Sequence, residues 1–340
     1  MTATLAALPI AVVLAGIGAL GLSAARAGAI GLAVAALLAV VTFDLAGAAP
    51  GGLGAAALGT GAEALHSTLT ILWVIVPALV LHEFQQATGA VGRIKDALGG
   101  LTTDRRLQVI LIAWFFGLFI EGAAGFGTPV ALGAPLLAGL GFAPARAVVL
   151  ALLGHAAGVS FGAVGTPTLA QVAITGLSGR EIALNVALMH AALGPLLLLA
   201  ALYLAAPGPL RLRDVGWAAL AALCFFVPSL ALAAAIGPEL PSLGGALIGG
   251  AVFIALLRRL GPRTDAPPPQ GLAADLAPYL AILALVLATR LIPPVQDALS
   301  GLALEWTRAG GFAGSFAPLY HPGTLLFAGL AGAALLTGRA

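Results

Sequence analysis

The chain has 340 residues, of which 61% are hydrophobic and only 8% are charged, and its formal net charge is +2. This composition excludes a soluble globular domain, because such a domain needs a charged surface that this chain lacks. So small a net charge gives no indication of a nucleic-acid partner. The single cysteine, Cys224, excludes a disulfide within the chain. The composition therefore predicts a protein embedded in a membrane.

Apolar runs of about 20 residues are long enough to cross a bilayer as helices. The predicted spans are 5–22, 29–46, 67–82, 107–121, 147–164, 182–206, 215–237, 242–260, 277–292 and 323–338. The first run lacks a basic flank, so we interpret it as a span and not as a cleaved signal. A further apolar segment, 129–142, is short, and it either crosses or is re-entrant. The pattern predicts an all-α polytopic membrane protein with about 10–11 membrane segments.

The distribution of basic residues predicts the orientation of the chain. With the N-terminus outside and 129–142 crossing, twelve of the 15 Lys and Arg residues fall in inside loops, which is the usual cytoplasmic bias. The end of this chain then lies inside. Residues 1–340 form one predicted membrane transport domain, with cytoplasmic loops at 83–106 and 261–275 and an outer loop at 293–322.

Four arginines receive individual predictions. Arg105 and Arg106 are expected to anchor the chain at the lipid headgroups, and Arg290 is expected to reach the interface from a span end. Arg146 follows Pro144 in a short link, where it can face an inner vestibule and attract anions.

A glycine-rich interruption follows the fourth predicted span. Gly125, Phe126, Gly127 and Thr128 precede Pro129. Thr is a good N-cap and Pro is favoured at the first helical position, so a helix is predicted from Pro129 to about Gly141. Its unsatisfied amides and positive dipole favour an anion, and glycine allows a close approach of ligand to backbone. These four residues are predicted to bind substrate. The alternative is a tight turn whose glycines serve helix packing.

A second copy of the Gly-Thr-Pro pattern occurs at Gly165, Thr166 and Pro167. Thr166 is predicted to cap another helix start with open amides, so that Gly165 and Thr166 contribute to the same substrate site. The alternative is an ordinary turn after the span 147–164.

Two ionisable residues lie in apolar surroundings near these breaks. Glu121 ends the fourth predicted span, and an intramembrane carboxylate is a candidate proton carrier. His155 lies beside Gly154 and Gly158, part of a small-residue face that predicts close helix contact and an inward histidine. We predict that Glu121 and His155 couple protons to transport. The alternatives are a carboxylate that satisfies backbone amides and a histidine bonded to a carbonyl.

Motifs of enzymes and cofactors are absent from the sequence. It has no His-Glu-x-x-His pattern, no cysteine pair and no Walker loop, so neither an enzyme nor a bound metal or organic cofactor is expected.

The residues around the first break resemble a known family. The run Trp114–Ala131, followed by Gly139–Phe142, is similar to the signature of the lactate permease family, and Phe161–Pro167 and Pro318–Gly323 resemble it too. The resemblance implies proton-coupled uptake of lactate, and often glycolate, across the bacterial cytoplasmic (inner) membrane. It also implies an inverted-repeat carboxylate-transporter fold with re-entrant hairpins.

Family members are longer than this chain, so the resemblance implies that a C-terminal part is missing and that the chain holds one repeat and part of another. Partners are then a small 2-hydroxy monocarboxylate, protons, membrane lipid, and either another copy of the chain or the missing half. Three alternatives stay open: a permease for another small organic anion, a membrane-embedded enzyme acting on a lipid or quinone, and a non-transporting membrane subunit.

Overall fold

The computed structural model describes residues 2–48, 51–125, 127–261 and 272–338, which are almost entirely helical. Phe126 and most of the predicted loop 261–275 lie outside the described residues. The helices are α1 (Thr2–Gly18), α2 (Ala24–Val41), α3 (Leu45–Ala48), α4 (Gly52–Ala87), α5 (Ala90–Gly99), α6 (Arg105–Val109), a π-helical segment (Ile110–Phe116), α7 (Gly117–Ala123), α8 (Thr128–Gly139), α9 (Pro144–His155), a 3₁₀ segment (Ala156–Phe161), α10 (Gly162–Thr175), α11 (Gly179–Ala205), α12 (Leu212–Ala235), α13 (Pro241–Leu260), α14 (Leu272–Leu291), α15 (Pro293–Ser300) and α16 (Pro322–Thr337).

Eight helical stretches in the described part of the chain are long and apolar enough to cross a membrane, and three shorter apolar helices accompany them. Large apolar side chains such as Leu188, Leu193, Leu223 and Val227 are exposed on these helices, as expected of surfaces that face lipid and not water. The chain is therefore an all-α, multi-pass membrane protein, in agreement with the composition.

The polar stretches contain regular structure. The predicted loop 83–106 holds the end of α4 and the whole of α5, which is tied down by an ion pair from Arg93 Nη2 to Asp275 Oδ1 at 2.6 Å. The predicted loop 293–322 holds α15 and a two-stranded sheet of β1 (Leu304–Thr307) and β2 (Ala313–Phe316).

The chain divides into two compact units. The first comprises Met1–Thr68 and Leu304–Ser315. Within it α1 packs on α2, and the strand hairpin is held by Trp306 Nε1, which lies 3.2 Å from His66 Nδ1.

The second unit comprises Leu69–Ala303 and Phe316–Ala340, and a buried central helix runs through it. This helix consists of α6, the π-helical segment and α7, and every residue of the latter two is buried. Trp114 packs edge-on against the rings of Phe225 and Phe226. A helix that is buried on all sides by other helices is a core element. It carries Glu121 into the interior of the unit.

The central helix and α8 form a hairpin whose tip is the first break. Arg105, at the start of α6, donates from Nη2 to the carbonyl of Gly141 at 2.9 Å, and its guanidinium lies 4.1 Å from the ring centre of Phe142. Both ends of the hairpin therefore lie at one end of the unit. This arrangement suits a pair of crossing helices and a re-entrant pair equally well.

Arg106 differs from its predicted role as a headgroup anchor. Its residue surface is only 9% exposed, and it forms an ion pair with Asp214 and donates to the carbonyl of Gly208 at 2.9 Å. The sequence prediction was wrong because a carboxylate 108 positions later removes the need for solvation by lipid headgroups.

Candidate functional site

The first break separates α7 from α8. Gly125 and Gly127 have φ values of +60° and +83°, which favour glycine. The hydroxyl of Thr128 donates to the carbonyl of Gly125 at 2.6 Å. The predicted Thr N-cap is therefore wrong: Gly127 is the capping residue, and Thr128 is the first residue of a helix that ends at Gly139.

The first amides of α8 are less available to a ligand than the sequence suggests. The amide of Thr128 donates to the Gly125 carbonyl at 3.0 Å, and that of Ala131 donates to the Gly127 carbonyl at 3.1 Å. Pro129 has no amide hydrogen. Most of the helix start is thus already bonded, so its contribution to an anion is the dipole and not a set of open donors.

The second break repeats the first at the level of the backbone. Near the start of α10, Ala163, Val164 and Gly165 have φ values of +44°, +54° and +82°. These three residues are not helical, so they interrupt α10. The hydroxyl of Thr166 donates to the carbonyl of Ala163 at 2.6 Å, again three residues back. Here too the Thr hydroxyl is a donor and not a cap. Ala163 and Val164 have side chains, so their left-handed backbone conformation costs free energy. Such strain persists only where the surrounding structure enforces it.

The two breaks lie against each other. A Cβ atom placed on Gly125 would lie 2.9 Å from the backbone nitrogen of Ala163. A Cβ atom on Gly162 would collide with Oε1 of Glu121. The predicted site residues Gly125, Glu121 and those of the second break are therefore brought together, and glycine is what allows it.

Glu121 and His155 face each other in the interior. They are 3% and 9% exposed, and His155 Nε2 lies 3.9 Å from Glu121 Oε2. His155 Nδ1 lies 2.8 Å from the carbonyl of Ala151. Because a carbonyl only accepts, Nδ1 carries the hydrogen, and Nε2 is the ring nitrogen that lies beside the carboxylate.

Small residues bring α9 and the following 3₁₀ segment onto the central helix. A Cβ atom on Gly154 would collide with the Ala113 carbonyl, and one on Gly158 would lie 2.7 Å from Leu118 Cδ2. The predicted small-residue face is present, and it sets the position of His155. His190 lies outside this pair and contacts Ser160 Oγ at 2.9 Å.

A buried ion pair that the sequence did not predict lies next to the second break. Glu239 and Arg290 are 5% and 8% exposed, and Arg290 Nη2 lies 2.8 Å from Glu239 Oε1. The expectation that Arg290 reaches the membrane interface was therefore wrong. An acidic residue between two prolines, Pro238 and Pro241, was the available signal, but its partner lies 51 positions later.

Within the described residues, no group of three or more His, Cys, Asp or Glu side chains is placed to hold a metal ion. The site is instead built from one carboxylate, one imidazole, two threonine hydroxyls and closely packed glycine backbone.

Comparison with known proteins connects this site to one family. A family model described as L-lactate permease matches residues 2–293. An L-lactate permease of Bacillus subtilis (strain 168) is 32% identical over 286 residues, which cover 75% of this chain and 50% of that protein. A glycolate permease of Escherichia coli (strain K12) is 36% identical over 251 residues, covering 73% of this chain and 43% of that protein.

The chain spans about half the length of the curated relatives it matches. No solved structure matches it.

Proposed function

Because this chain belongs to the L-lactate permease family, we propose that it carries the proton-coupling site of a permease that takes up lactate, and also glycolate, across the bacterial inner membrane. The named activities of the lactate and glycolate permeases above support this substrate class. The family is one of transporters, and no enzymatic reaction is assigned to the chain.

The observation that carries the proposal is the position of Glu121. Its carboxylate lies at the contact between the two breaks, against Gly162 and 3.9 Å from His155 Nε2. A buried carboxylate of this kind is a candidate for proton transfer in a transporter. We place the substrate beside it, between the breaks formed by Gly125, Gly127 and Gly165.

Charge balance gives the proposed coupling rule. A net charge buried in low dielectric costs many kcal/mol, so the states that move across the membrane should be neutral. Glu121 and His155 together are neutral when they share one proton. A bound monocarboxylate adds one negative charge, and a second proton on the pair restores neutrality. The expected stoichiometry is one proton for each substrate anion.

The two threonine hydroxyls suggest how a 2-hydroxy acid is distinguished. Thr128 and Thr166 each use their hydrogen on a carbonyl at 2.6 Å, so their oxygens remain able to accept. The 2-hydroxyl of lactate or glycolate is a suitable donor. A site that hydrogen-bonds a substrate hydroxyl discriminates strongly against an analogue without one.

The proposed orientation places the basic end of the second unit in the cytoplasm. Arg105 and Arg106 lie at this end with Gly141, and Arg146 follows directly after the hairpin. Such a concentration of arginine agrees with the cytoplasmic bias of membrane proteins. We also propose, from the distribution of basic residues along the sequence, that the N-terminus lies outside.

Uptake of labelled lactate by cells or proteoliposomes that contain the chain tests the proposal. We expect a proton uncoupler to abolish accumulation, and replacement of sodium by potassium to leave it unchanged. Propionate, which lacks the 2-hydroxyl, should compete poorly. Accumulation that depends on sodium and is indifferent to the proton gradient would overturn the proposal.

A further inference from the structure

The pair Glu239–Arg290 is built in an unusual way for a structural ion pair. Both the Nε and Nη2 atoms of Arg290 approach the same oxygen, Glu239 Oε1, at 3.0 and 2.8 Å. Nη2 also donates to the carbonyl of Tyr320 at 3.2 Å, and the guanidinium lies 3.6 Å from the ring centre of Tyr320. The usual two-oxygen, two-nitrogen pairing of Arg with a carboxylate is not used.

One charged atom on each side is left without a partner. Among the described residues, neither Arg290 Nη1 nor Glu239 Oε2 has a hydrogen-bond partner, although both atoms are buried. An unsatisfied buried charged group is costly, and native proteins rarely retain one without a use. Both side chains are more than nine-tenths buried, at 7% and 6% exposed.

The pair adjoins the second break. A Cβ atom on Gly165 would collide with the carbonyl of Pro238 and would lie 3.0 Å from the backbone nitrogen of Glu239. The backbone that carries Glu239 is therefore in direct contact with the strained turn at 163–165. The guanidinium of Arg290 is thus linked to the second break through Glu239, whose backbone packs against Gly165.

We propose that Arg290 binds the carboxylate of the transported anion through its free Nη1, and that Glu239 is the internal counter-ion that holds the guanidinium in the empty site. The inference rests on the function proposed above, and it names the residue that neutralises the substrate. Arg remains protonated at every physiological pH and matches a carboxylate with a planar fork of donors. Glu239 pairs with the guanidinium through a single oxygen, Oε1, and leaves the Nη1 donor of the fork available.

The proposal separates the two charges of the site. Arg290 and Glu239 together are neutral in the empty state, so they do not change the number of protons that Glu121 and His155 must bind for each substrate anion. The incoming carboxylate shares the guanidinium with Glu239, and the extra proton resides on the other pair. Recognition of the anion and uptake of the proton are thus assigned to different side chains on either side of the breaks.

Binding measurements on the purified full chain in lipid nanodiscs test this assignment. The probes are labelled L-lactate, acetate, and lactamide, which replaces the carboxylate with a neutral amide. The variants are Arg290→Gln, Arg290→Lys and Glu239→Gln. The matched control is Arg93→Gln, which breaks the ion pair with Asp275, a contact that includes no residue of the breaks.

We expect Arg290→Gln to weaken lactate binding by about tenfold or more, because it removes a charge-assisted hydrogen bond. Arg290→Lys should retain the charge but lose the fork, and its affinity should be intermediate. Glu239→Gln should bind lactate and acetate several-fold more tightly, because the internal competitor has lost its charge. Lactamide affinity should not respond to any of the three, and Arg93→Gln should lower stability with an unchanged Kd.

Opposite effects at Arg290 and Glu239 distinguish anion binding from a structural role. Unchanged affinity in Arg290→Gln overturns the proposal, as does a Glu239→Gln variant that binds lactate more weakly. The second outcome decides the matter even if Arg290→Gln does not fold. A wild-type chain that binds no carboxylate overturns this inference together with the proposed function. One that binds carboxylates through Arg290 without transporting them overturns only the proposed function.

Discussion

The two Gly-Thr-Pro breaks have the same sequence and the same local structure, but their surroundings differ. In each, a glycine with φ near +83° precedes a threonine whose hydroxyl donates to the carbonyl three residues back at 2.6 Å. Among the described residues, a Cβ atom on Gly127 would meet nothing within 4 Å, whereas one on Gly165 would collide with Pro238. Thr166 is buried at 6% exposure, while Thr128 is partly exposed.

The comparison separates what the motif encodes from what its environment adds. The motif encodes a left-handed turn followed by a helix. Packing then decides that the first turn is open on one side and that the second is fixed between α7 and the segment before α13.

The largest expected effect is on folding, and it distinguishes the breaks directly. Gly165→Ala adds a Cβ atom that collides with the Pro238 carbonyl in addition to the cost of a left-handed alanine. Gly127→Ala has only the second cost, about 1–2 kcal/mol. We expect little folded Gly165→Ala protein in the membrane and near-normal amounts of Gly127→Ala. Membrane content and melting temperature in detergent provide the measurement.

Equal losses in these two variants would contradict the contrast between an open and a packed turn. The same geometry predicts the effect of a larger side chain at Gly127. Valine there would act through backbone strain and through bulk extending into open space, and not by collision with the protein.

The second prediction concerns the carboxylate that lies between the breaks. Glu121→Gln preserves the shape of the side chain and removes its ionisable proton. We expect accumulation of lactate against a gradient to be lost, while exchange of labelled for unlabelled lactate persists, because exchange needs no net proton movement. The control is Glu181→Gln, an exposed carboxylate at the start of α11.

If Glu121→Gln accumulates lactate as well as the wild type does, the proton does not travel on this carboxylate. The proposed neutral states would then require another carrier.

Much of the fold could be predicted from the sequence, since the signal is hydrophobic length. The stretches of apolar residues in the second unit coincide with its helices because a bilayer-crossing helix needs about 20 such residues. The bounds were less predictable. The α4 helix begins at Gly52, 15 residues before the predicted span, because alanine and glycine there carry little hydropathy contrast.

The site was predictable where the signal is local and unpredictable where it depends on distant partners. Both Gly-Thr-Pro breaks are visible in the sequence, and glycine spacing correctly placed His155 inside. The direction of the threonine hydrogen bonds was not visible, because it depends on the φ values of three preceding residues. The predictions for Arg106 and Arg290 were wrong because each pairs with a carboxylate far away in the sequence, Asp214 on α12 and Glu239 in the link between α12 and α13.

The third prediction tests the threonine hydroxyls. Thr166→Ala removes a buried donor to the Ala163 carbonyl and leaves that carbonyl unsatisfied, which costs about 1–3 kcal/mol. Thr128→Ala, at the open break, should cost less, about 0.5–1.5 kcal/mol. Serine at either position should be nearly silent, because it keeps the hydroxyl. Melting temperatures of the four variants give the order, and half-saturation for lactate shows whether the hydroxyls also contact substrate.

The smallest expected effect lies at His321, beside the arginine that adjoins the second break. Its Nδ1 accepts from the Gly323 amide at 3.3 Å at the start of α16. Burial, and then the positive charge of Arg290, lower the pKa of His321 to about 4 from an ordinary value of 6.5. Between pH 6.5 and about 4 the unfolded chain therefore binds the proton more readily than the folded one, so stability falls as the pH is lowered through this window. His321→Asn keeps a capping acceptor but does not titrate, and it should flatten the decline in melting temperature.

Because the positive charge of Arg290 contributes to the shift, Arg290→Gln should raise the pKa of His321, which histidine-selective NMR measures. A decline that is unchanged in His321→Asn would assign the acid sensitivity to other groups.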